Sequence, residues 1–343
     1  MMSIDAPFYA PLENAAEEAR RLAADGFDGV YTLEGNTDPF FPLLLASEHA
    51  PQLDIATGIA VAFPRNPSHL AYQAWDLHRF SKGKFLLGLG SQIKPHIENR
   101  FGCEFSRPAA RMREHILAIK AFFDCWQDGK RLDFQGEFRR HTLMTPMFNA
   151  GENPFGKPPI LLGALGPRMT EVAGEVADGI IMHPFNNQAF IEQQALPAVR
   201  KGLAKADKSE SEFIISLGAM IATGEKEEDM LAAKASIKGL LGFYASTPAY
   251  IPPMAAVGYE GLQPEANRLT KEGKWEQLAD LIDDTFFEAY CIYDEPQNIA
   301  HRLQQKYGTL PDRLSFYTPY ATPAGFWKPI IEQVRTAAPL EGA

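Results

Sequence analysis

Short runs of β-branched and aliphatic residues alternate along this chain with longer runs of helical periodicity. That alternation constrains the fold more than any other feature, because it is the signature of βα units around a parallel sheet. Strands are predicted at Ser3–Asp5, Gly29–Thr32, Ile55–Ala60, Phe85–Leu89, Pro159–Leu162, Gly179–Met182, Ile214–Ala222 and Leu314–Tyr317. Eight such runs predict an α/β fold, a single (β/α)8 TIM barrel. Helices fill the gaps: Asn14–Asp25 carries Ala16, Ala19, Leu22 and Ala23 on one face and stops at Gly26. His69–Phe80 and Pro108–Trp126 read the same way, the latter through Met112, Ile116, Ile119 and Phe123. Asp28-Gly29-Val30 and Asp178-Gly179-Ile180 predict αβ turns in which glycine supplies the turn torsion.

Two stretches exceed what a minimal barrel needs. Arg131–Pro158, rich in Phe, Arg, His, Gly and Pro, lies between the fourth and fifth strands. Gly239–Pro296, with Tyr244, Tyr250, Pro252-Pro253 and Tyr259, lies between the seventh and eighth. Connections of this type open on the C-terminal face of a barrel, so both are candidate lids, with a dimer contact or plain decoration as the alternative. No repeat or low-complexity linker divides the 343 residues, and one domain spanning 1–343 is expected, with insertions at about 131–158 and 239–296.

The formal net charge of −10 repels polyphosphate backbones and disfavours nucleic acid as a partner, while leaving room for a local basic pocket holding one small phosphate. Cys103, Cys125 and Cys291 are widely spaced, with no Cys-x-x-Cys pair; they form neither a disulfide framework nor a zinc site and suit a reducing cytosol. Met1 to Glu18 bears acids where a signal peptide needs a basic start, and the longest apolar stretch, Ile55 to Pro64, is too short to span a bilayer. A cytoplasmic protein away from the membrane is expected.

Gly88-Leu89-Gly90-Ser91-Gln92 resembles the start of a dinucleotide fingerprint, but Ile93 stands at the third glycine position. Its glycines suit either close approach of a flat ligand or simple packing. Gly163-Ala164-Leu165-Gly166-Pro167-Arg168-Met169 follows an apolar strand and opens a helix over Met169–Ala177. Free N–H groups at such a helix start attract anions, and Arg168 adds a charge, so the segment reads as a phosphate site or an ordinary βα turn. Gly58, inside the third strand, marks a bulge or a close approach. No His-Glu-x-x-His, Gly-x-Ser-x-Gly or P-loop occurs. Of the eight histidines, His96 and His183 fall just after predicted strands on the catalytic face; His141 lies in a candidate lid. Glu34 is the corresponding carboxylate after the second strand, where pairing with an arginine is the competing role.

Three segments together resemble the luciferase-like oxidoreductases, in particular their coenzyme F420-dependent branch. They are Gly26-Phe27-Asp28-Gly29-Val30, then Ala74-Trp75-Asp76-Leu77-His78-Arg79-Phe80 continuing through Gly83 to Gly90, and then Gly163 to Met169 with Ala173-Gly174-Glu175-Val176-Ala177-Asp178-Gly179. The resemblance implies a (β/α)8 barrel with inserted loops, commonly a homodimer, with the cofactor ring at the C-terminal mouth. The ring lies against a third-strand bulge that often contains a non-prolyl cis peptide, and Gly58–Ile59 match that bulge. Ala164, Leu165, Gly166 and Pro167 match the phosphate loop, with Arg168 beside it. Gly90, Ser91 and His183 match cofactor-facing strand ends.

Two departures stand out. Deazaflavin enzymes of this class frequently place a histidine after the acid that ends the second strand, where this chain has Glu34-Gly35; some use an acid and an asparagine after the fourth, where it has Ile93 and His96. The implied activity is hydride transfer between coenzyme F420 and a small organic substrate, with His96, His183 or Glu34 managing the proton. Alternatives are a reduced-FMN monooxygenase on the same fold, a barrel that binds a flavin or deazaflavin without turnover, and a hydrolase using Glu34 with a second carboxylate.

Overall fold

The computed structural model describes residues 2–336. Eight parallel strands close into a barrel: β1 (Ser3–Pro7), β2 (Gly29–Thr32), β3 (Asp54–Thr57), β4 (Phe85–Gly90), β5 (Ile160–Ala164), β6 (Gly179–Met182), β7 (Ile214–Ala222) and β8 (Arg313–Tyr317). Each pairs with its neighbours in sequence, and β8 closes on β1 with Ile4 opposite Leu314. The helices Leu12–Ala24 (α1), Phe40–His49 (α2), Pro67–Phe80 (α3), Pro108–Gln127 (α4) and Pro167–Val176 (α5) follow the first five strands. β4 is buried along its whole length, as expected of a strand covered by helices on one side and barrel interior on the other.

The strand edges are set by close contacts that only particular residues permit. At Gly88 an added Cβ would overlap the Thr57 carbonyl oxygen, and the Thr57 hydroxyl donates to Gly88 O at 2.7 Å. Three aspartates that precede strands accept the N–H of an adjacent strand: Asp28 from Ile4 at 2.9 Å, Asp178 from Ile160 at 2.9 Å and Asp312 from Ile215 at 2.8 Å. Inside the base of the barrel, Arg313 pairs with Asp5 at 2.7 Å and with Asp54 at 2.8 Å. Gly29 lies against this group, where a Cβ would come within 2.6 Å of both Arg313 Nη2 and Asp5 Oδ1. Gly29 and Gly179 therefore serve close approach; neither has a positive φ, so the turn torsion anticipated from sequence is not their role.

Other departures from the sequence reading have local causes. The third strand does not run unbroken from Ile55 to Ala60: a bulge at Gly58–Ile59 divides it, and Ala60–Val61 resumes pairing with β4. A ninth parallel strand, Cys291–Tyr293, adds to Met220–Ala222 at the far end of β7 and was not foreseen, being too short for its period to register. Gly239 lies within the helix Glu227–Ala245, facing open space, so that helix runs on into the second insertion. That insertion packs its own apolar cluster, including Tyr244, Met254, Leu269, Phe286 and Tyr290, onto Phe185 and Met220 beside the mouth.

The first insertion contains a small antiparallel hairpin, Phe134–Gln135 with Arg140–His141. The hairpin lies on α4, with Phe138 N–H donating to Glu114 at 2.7 Å. Its remainder is fastened along α3: Trp75 Nε1 donates to Gly151 O at 3.1 Å, and the Tyr72 hydroxyl donates to Phe148 O. This segment runs along the flank of the barrel, because the aromatic stripe of α3 and α4 (Tyr72, Trp75, Phe122, Trp126) holds it there.

Candidate active site at the barrel mouth

The bulge in the third strand is the first component. The Gly58–Ile59 peptide bond is cis. Gly58 N–H donates to Thr32 O at 2.8 Å, and the Ile59 carbonyl accepts from Glu34 N–H at 3.3 Å. The Ile59 side chain occupies the space two glycines leave free: a Cβ at Gly90 would lie 2.7 Å from Ile59 Cδ1, and one at Gly163 3.0 Å from its Cγ2. A side chain at Gly58 would meet Tyr31 Cδ2 at 2.8 Å. The Gly58–Ile59 bulge is half-buried, with Tyr31 packed against Gly58 and the Ile59 side chain filling the space beside Gly90 and Gly163.

Glu34 braces that bulge. Its Oε2 accepts from Val61 N–H and from Arg65, both at 2.6 Å, and its side chain is 7 % exposed. Arg65 also reaches Asp38 at 3.2 Å. A guanidinium and a backbone amide thus hold this carboxylate against the bulge.

His96 begins a single π-helical turn, His96–Arg100, beyond β4; it is exposed, and its ring makes no hydrogen bond. Ser91 lies at the end of β4, half-buried, its hydroxyl 3.3 Å from Gln92 O.

His183 follows β6 into the mouth. Its Nδ1 accepts the Phe185 N–H at 3.0 Å, so in the neutral ring the proton sits on Nε2, which faces the Tyr250 hydroxyl at 3.2 Å. Tyr244 packs edge-on against the imidazole at 4.8 Å, and the Tyr250 ring lies 4.9 Å away. Burial pulls the His183 pKa down to about 4, so the ring is neutral at pH 7.

A cluster of tyrosines completes the mouth. The Tyr244 and Tyr317 hydroxyls are 2.7 Å apart, and Tyr9 also hydrogen-bonds Tyr317. Tyr31, on β2, joins them beneath the bulge. Burial pushes the Tyr250 pKa up to about 12 and raises those of Tyr31, Tyr244 and Tyr317, so these phenols keep their protons at neutral pH. Searching the sequence for histidines and acids overlooks Tyr9, Tyr31 and Tyr317. Their signal is positional: Tyr31 and Tyr317 sit at the C-terminal ends of predicted strands, and Tyr9 just past the first.

On the β5 side, Ala164 is the last strand residue, Leu165 is half-buried, and Gly166 is the N-cap of α5, with no side chain capping it. Pro167 takes the first helical position, leaving the Arg168 and Met169 amides without an intrahelical acceptor. A Cβ at Gly166 would meet nothing within 4 Å, and the Arg168 side chain is exposed without an ion pair. The structure thus brings Gly58, Ile59, Gly90 and Gly163 into direct contact and joins His183 to the tyrosines. His96 has no link to either group.

Comparison with known proteins agrees with this geometry. The family model for luciferase-like monooxygenases matches residues 3–313. An uncharacterized protein of Mycobacterium tuberculosis is 42 % identical over 313 residues, covering 91 % of this chain and 92 % of its own. A putative coenzyme F420-dependent oxidoreductase of the same species is 25 % identical, covering 85 % and 87 %. Among solved structures, the coenzyme F420-dependent tetrahydromethanopterin reductase of Methanopyrus kandleri superposes with a TM-score of 0.78 at 17 % identity, covering 97 % of each chain. The EDTA monooxygenase of Chelativorans sp. BNC1 gives 0.69 at 14 % identity, covering 97 % and 92 %. A closed eight-stranded barrel with a bulged third strand, matched over residues 3–313 by that family model, places the chain in the luciferase-like monooxygenase family.

Proposed function

We propose that this chain is an oxidoreductase that moves a hydride between the deazaflavin coenzyme F420 and a small organic substrate at the barrel mouth. The observation that carries the reading is the pairing of two surfaces there. One is the open, uncapped start of α5 at Gly166; the other is the half-buried third-strand bulge flanked by protonated tyrosines. The helix start suits the phosphate of a cofactor, and the glycines at the bulge suit close approach of a flat ring. The two similar proteins named for coenzyme F420, from Mycobacterium tuberculosis and Methanopyrus kandleri, favour the deazaflavin over a flavin.

Within this reading Ala164, Leu165, Gly166, Pro167 and Arg168 hold the phosphate, and Gly58, Ile59, Gly90 and Ser91 bear the ring. When bound, a 5-deazaflavin supplies a hydride at C5 and reacts little with oxygen. Reduction of an acceptor also consumes one proton, and Tyr250 is placed to hold it. His183 Nε2–H donates to the Tyr250 oxygen, so the phenol's own proton is directed elsewhere, and the same bond stabilises the phenolate left after donation. His183 and Glu34 are positioning residues, the first for Tyr250 and the second for the bulge. His96 is assigned no proton-transfer role.

We read the chain as one domain with two insertions, functioning as a homodimer. Leu143, Met147 and Phe148 on the first insertion are 78 %, 86 % and 64 % exposed, an apolar face suited to burial against a second copy. The described residues include no helix long and apolar enough to cross a membrane.

Parallel fluorescence titrations of the apo-protein with oxidised coenzyme F420 and with FMN test the proposal. Micromolar or tighter binding of the deazaflavin alone supports it. Preferential FMN binding with substrate-dependent oxygen uptake would instead favour the monooxygenase reading, for which the EDTA monooxygenase likeness speaks.

A further inference from the structure

A cavity of about 250 Å³ lies away from the residues assigned above, lined by Phe63, Cys103, Glu104, Arg111, His115, Phe138 and Arg139. It forms where the hairpin of the first insertion crosses the N-terminal half of α4. His115, on α4, is 1 % exposed, and its Nε2 has no hydrogen-bond partner. His141, on the hairpin, likewise has a buried Nε2 without a partner. Buried polar nitrogens are ordinarily satisfied, so two such orphans, one on α4 and one on the hairpin that crosses it, call for an explanation.

Charge supplies it. The acids around the hairpin are engaged: Glu104 with Arg111 at 2.6 Å, Glu137 with Arg107, Glu114 with the Phe138 N–H at 2.7 Å and Asp133 with the Gln135 side-chain amide at 2.7 Å. Arg139 is left half-buried, with neither an ion pair nor a side-chain hydrogen bond among the described residues. Its positive charge, added to the effect of burial, lowers the pKa of both histidines, His115 to about 3. A guanidinium carries five N–H donors and no acceptor, and leaving them unmatched in a partly buried site is costly.

We propose that this cavity is an oxyanion-binding site, separate from the α5 turn, in which Arg139 holds a phosphate or phosphate-monoester group against the wall that His115 helps to form. Arg111 lies at its edge, already neutralised by Glu104 and stacked on Phe138 at 4.4 Å, and frames the site. An anion there gives Arg139 its missing counter-charge. The site does not depend on the redox reading, because it shares no residue with the mouth.

The test is a titration of the full-length protein with inorganic phosphate and, separately, with glycerol 3-phosphate, followed by NMR of the histidine ring nitrogens. A saturable shift of the His115 resonance with either ligand is expected, weakened at least tenfold in Arg139→Gln and retained in part by Arg139→Lys. A response to inorganic phosphate marks a free-ion site; a response to the ester alone marks the end of an organic ligand. The same response must survive in Gly166→Trp, which alters only the α5 turn. No saturable shift, or a shift kept in Arg139→Gln and lost in Gly166→Trp, overturns the proposal. So does a variant Arg139→Gln that leaves the phosphate response intact and weakens self-association, which would make Arg139 a subunit contact.

Discussion

His183 Nε2 lies 3.2 Å from the hydroxyl of Tyr250, a residue 67 positions further along the chain. The pair joins a strand end of the barrel to the long insertion, and it fixes which of the two groups gives up a proton. The imidazole is pinned at Nδ1 by the Phe185 amide and is neutral, so its Nε2–H can only donate. In the proposed reaction Tyr250 is thereby left as the proton source.

Tyr250→Phe removes that source while keeping the ring that packs on His183 and Phe185. The expected outcome is a fall in kcat of about 10²–10³, the usual scale for loss of a general acid, with cofactor affinity changed less than threefold (~0.6 kcal/mol). Steady-state kinetics alongside a fluorescence titration of the variant separate the two. An unchanged kcat would remove Tyr250 from the chemistry.

Gly166→Trp examines the phosphate turn. Gly166 has φ −71° and ψ 148°, ordinary for any residue, and its Cβ direction is open, so the fold is not disturbed. A bulky side chain there covers the amides at the helix start, and cofactor affinity should fall at least tenfold, or ~1.4 kcal/mol, with an unaltered melting temperature. Equal affinity in the variant would place the phosphate elsewhere.

The base of the barrel depends on Arg313. Arg313→Met leaves Asp5, whose side chain is 7 % exposed, without its partner, and breaking a buried pair in this way costs ~3–5 kcal/mol. Arg335→Met, which breaks the more exposed pair with Asp28, should cost no more than ~1 kcal/mol. Urea unfolding of both variants gives the comparison directly. Gly29→Ala, which drives a methyl into the same ion pair, should resemble the first variant and not the second.

Acid should destabilise the protein before its carboxylates titrate. His183 and His115 have folded-state pKa values lowered to about 4 and about 3, against an ordinary value of 6.5. As pH falls below 6.5 the unfolded chain takes up protons that the folded one refuses. Stability is therefore full above 6.5 and declines progressively toward the folded values, by about 3 kcal/mol for His183 and about 5 kcal/mol for His115 in the limit. Unfolding free energies at pH 7 and pH 5 should differ in that direction, and His183→Asn should flatten part of the slope.

Barrel, strand order and the glycine-marked segments were legible in the chain because each rests on short-range rules. Alternating apolar periods specify strands and helices, and Gly166-Pro167 reads as a helix start from the torsions of those two residues alone. Gly58–Ile59 also stood out, since a glycine inside an apolar strand has few other uses. The role of Glu34 depended on Arg65, thirty-one residues away, and on a backbone amide that only the bulge presents. His96 and His183 looked alike in sequence, each just after a strand, and only packing separated an exposed ring from a half-buried, hydrogen-bonded one. The tyrosines of the mouth come from β1, β2, β8 and the second insertion; their shared hydrogen bonds exist only once the barrel has closed. The sequence by itself thus determined the backbone frame, which follows from local torsion and apolar period. Which polar groups are partnered, and so which keep or lose a proton, was decided by tertiary structure, because burial and hydrogen bonding between distant segments set a pKa.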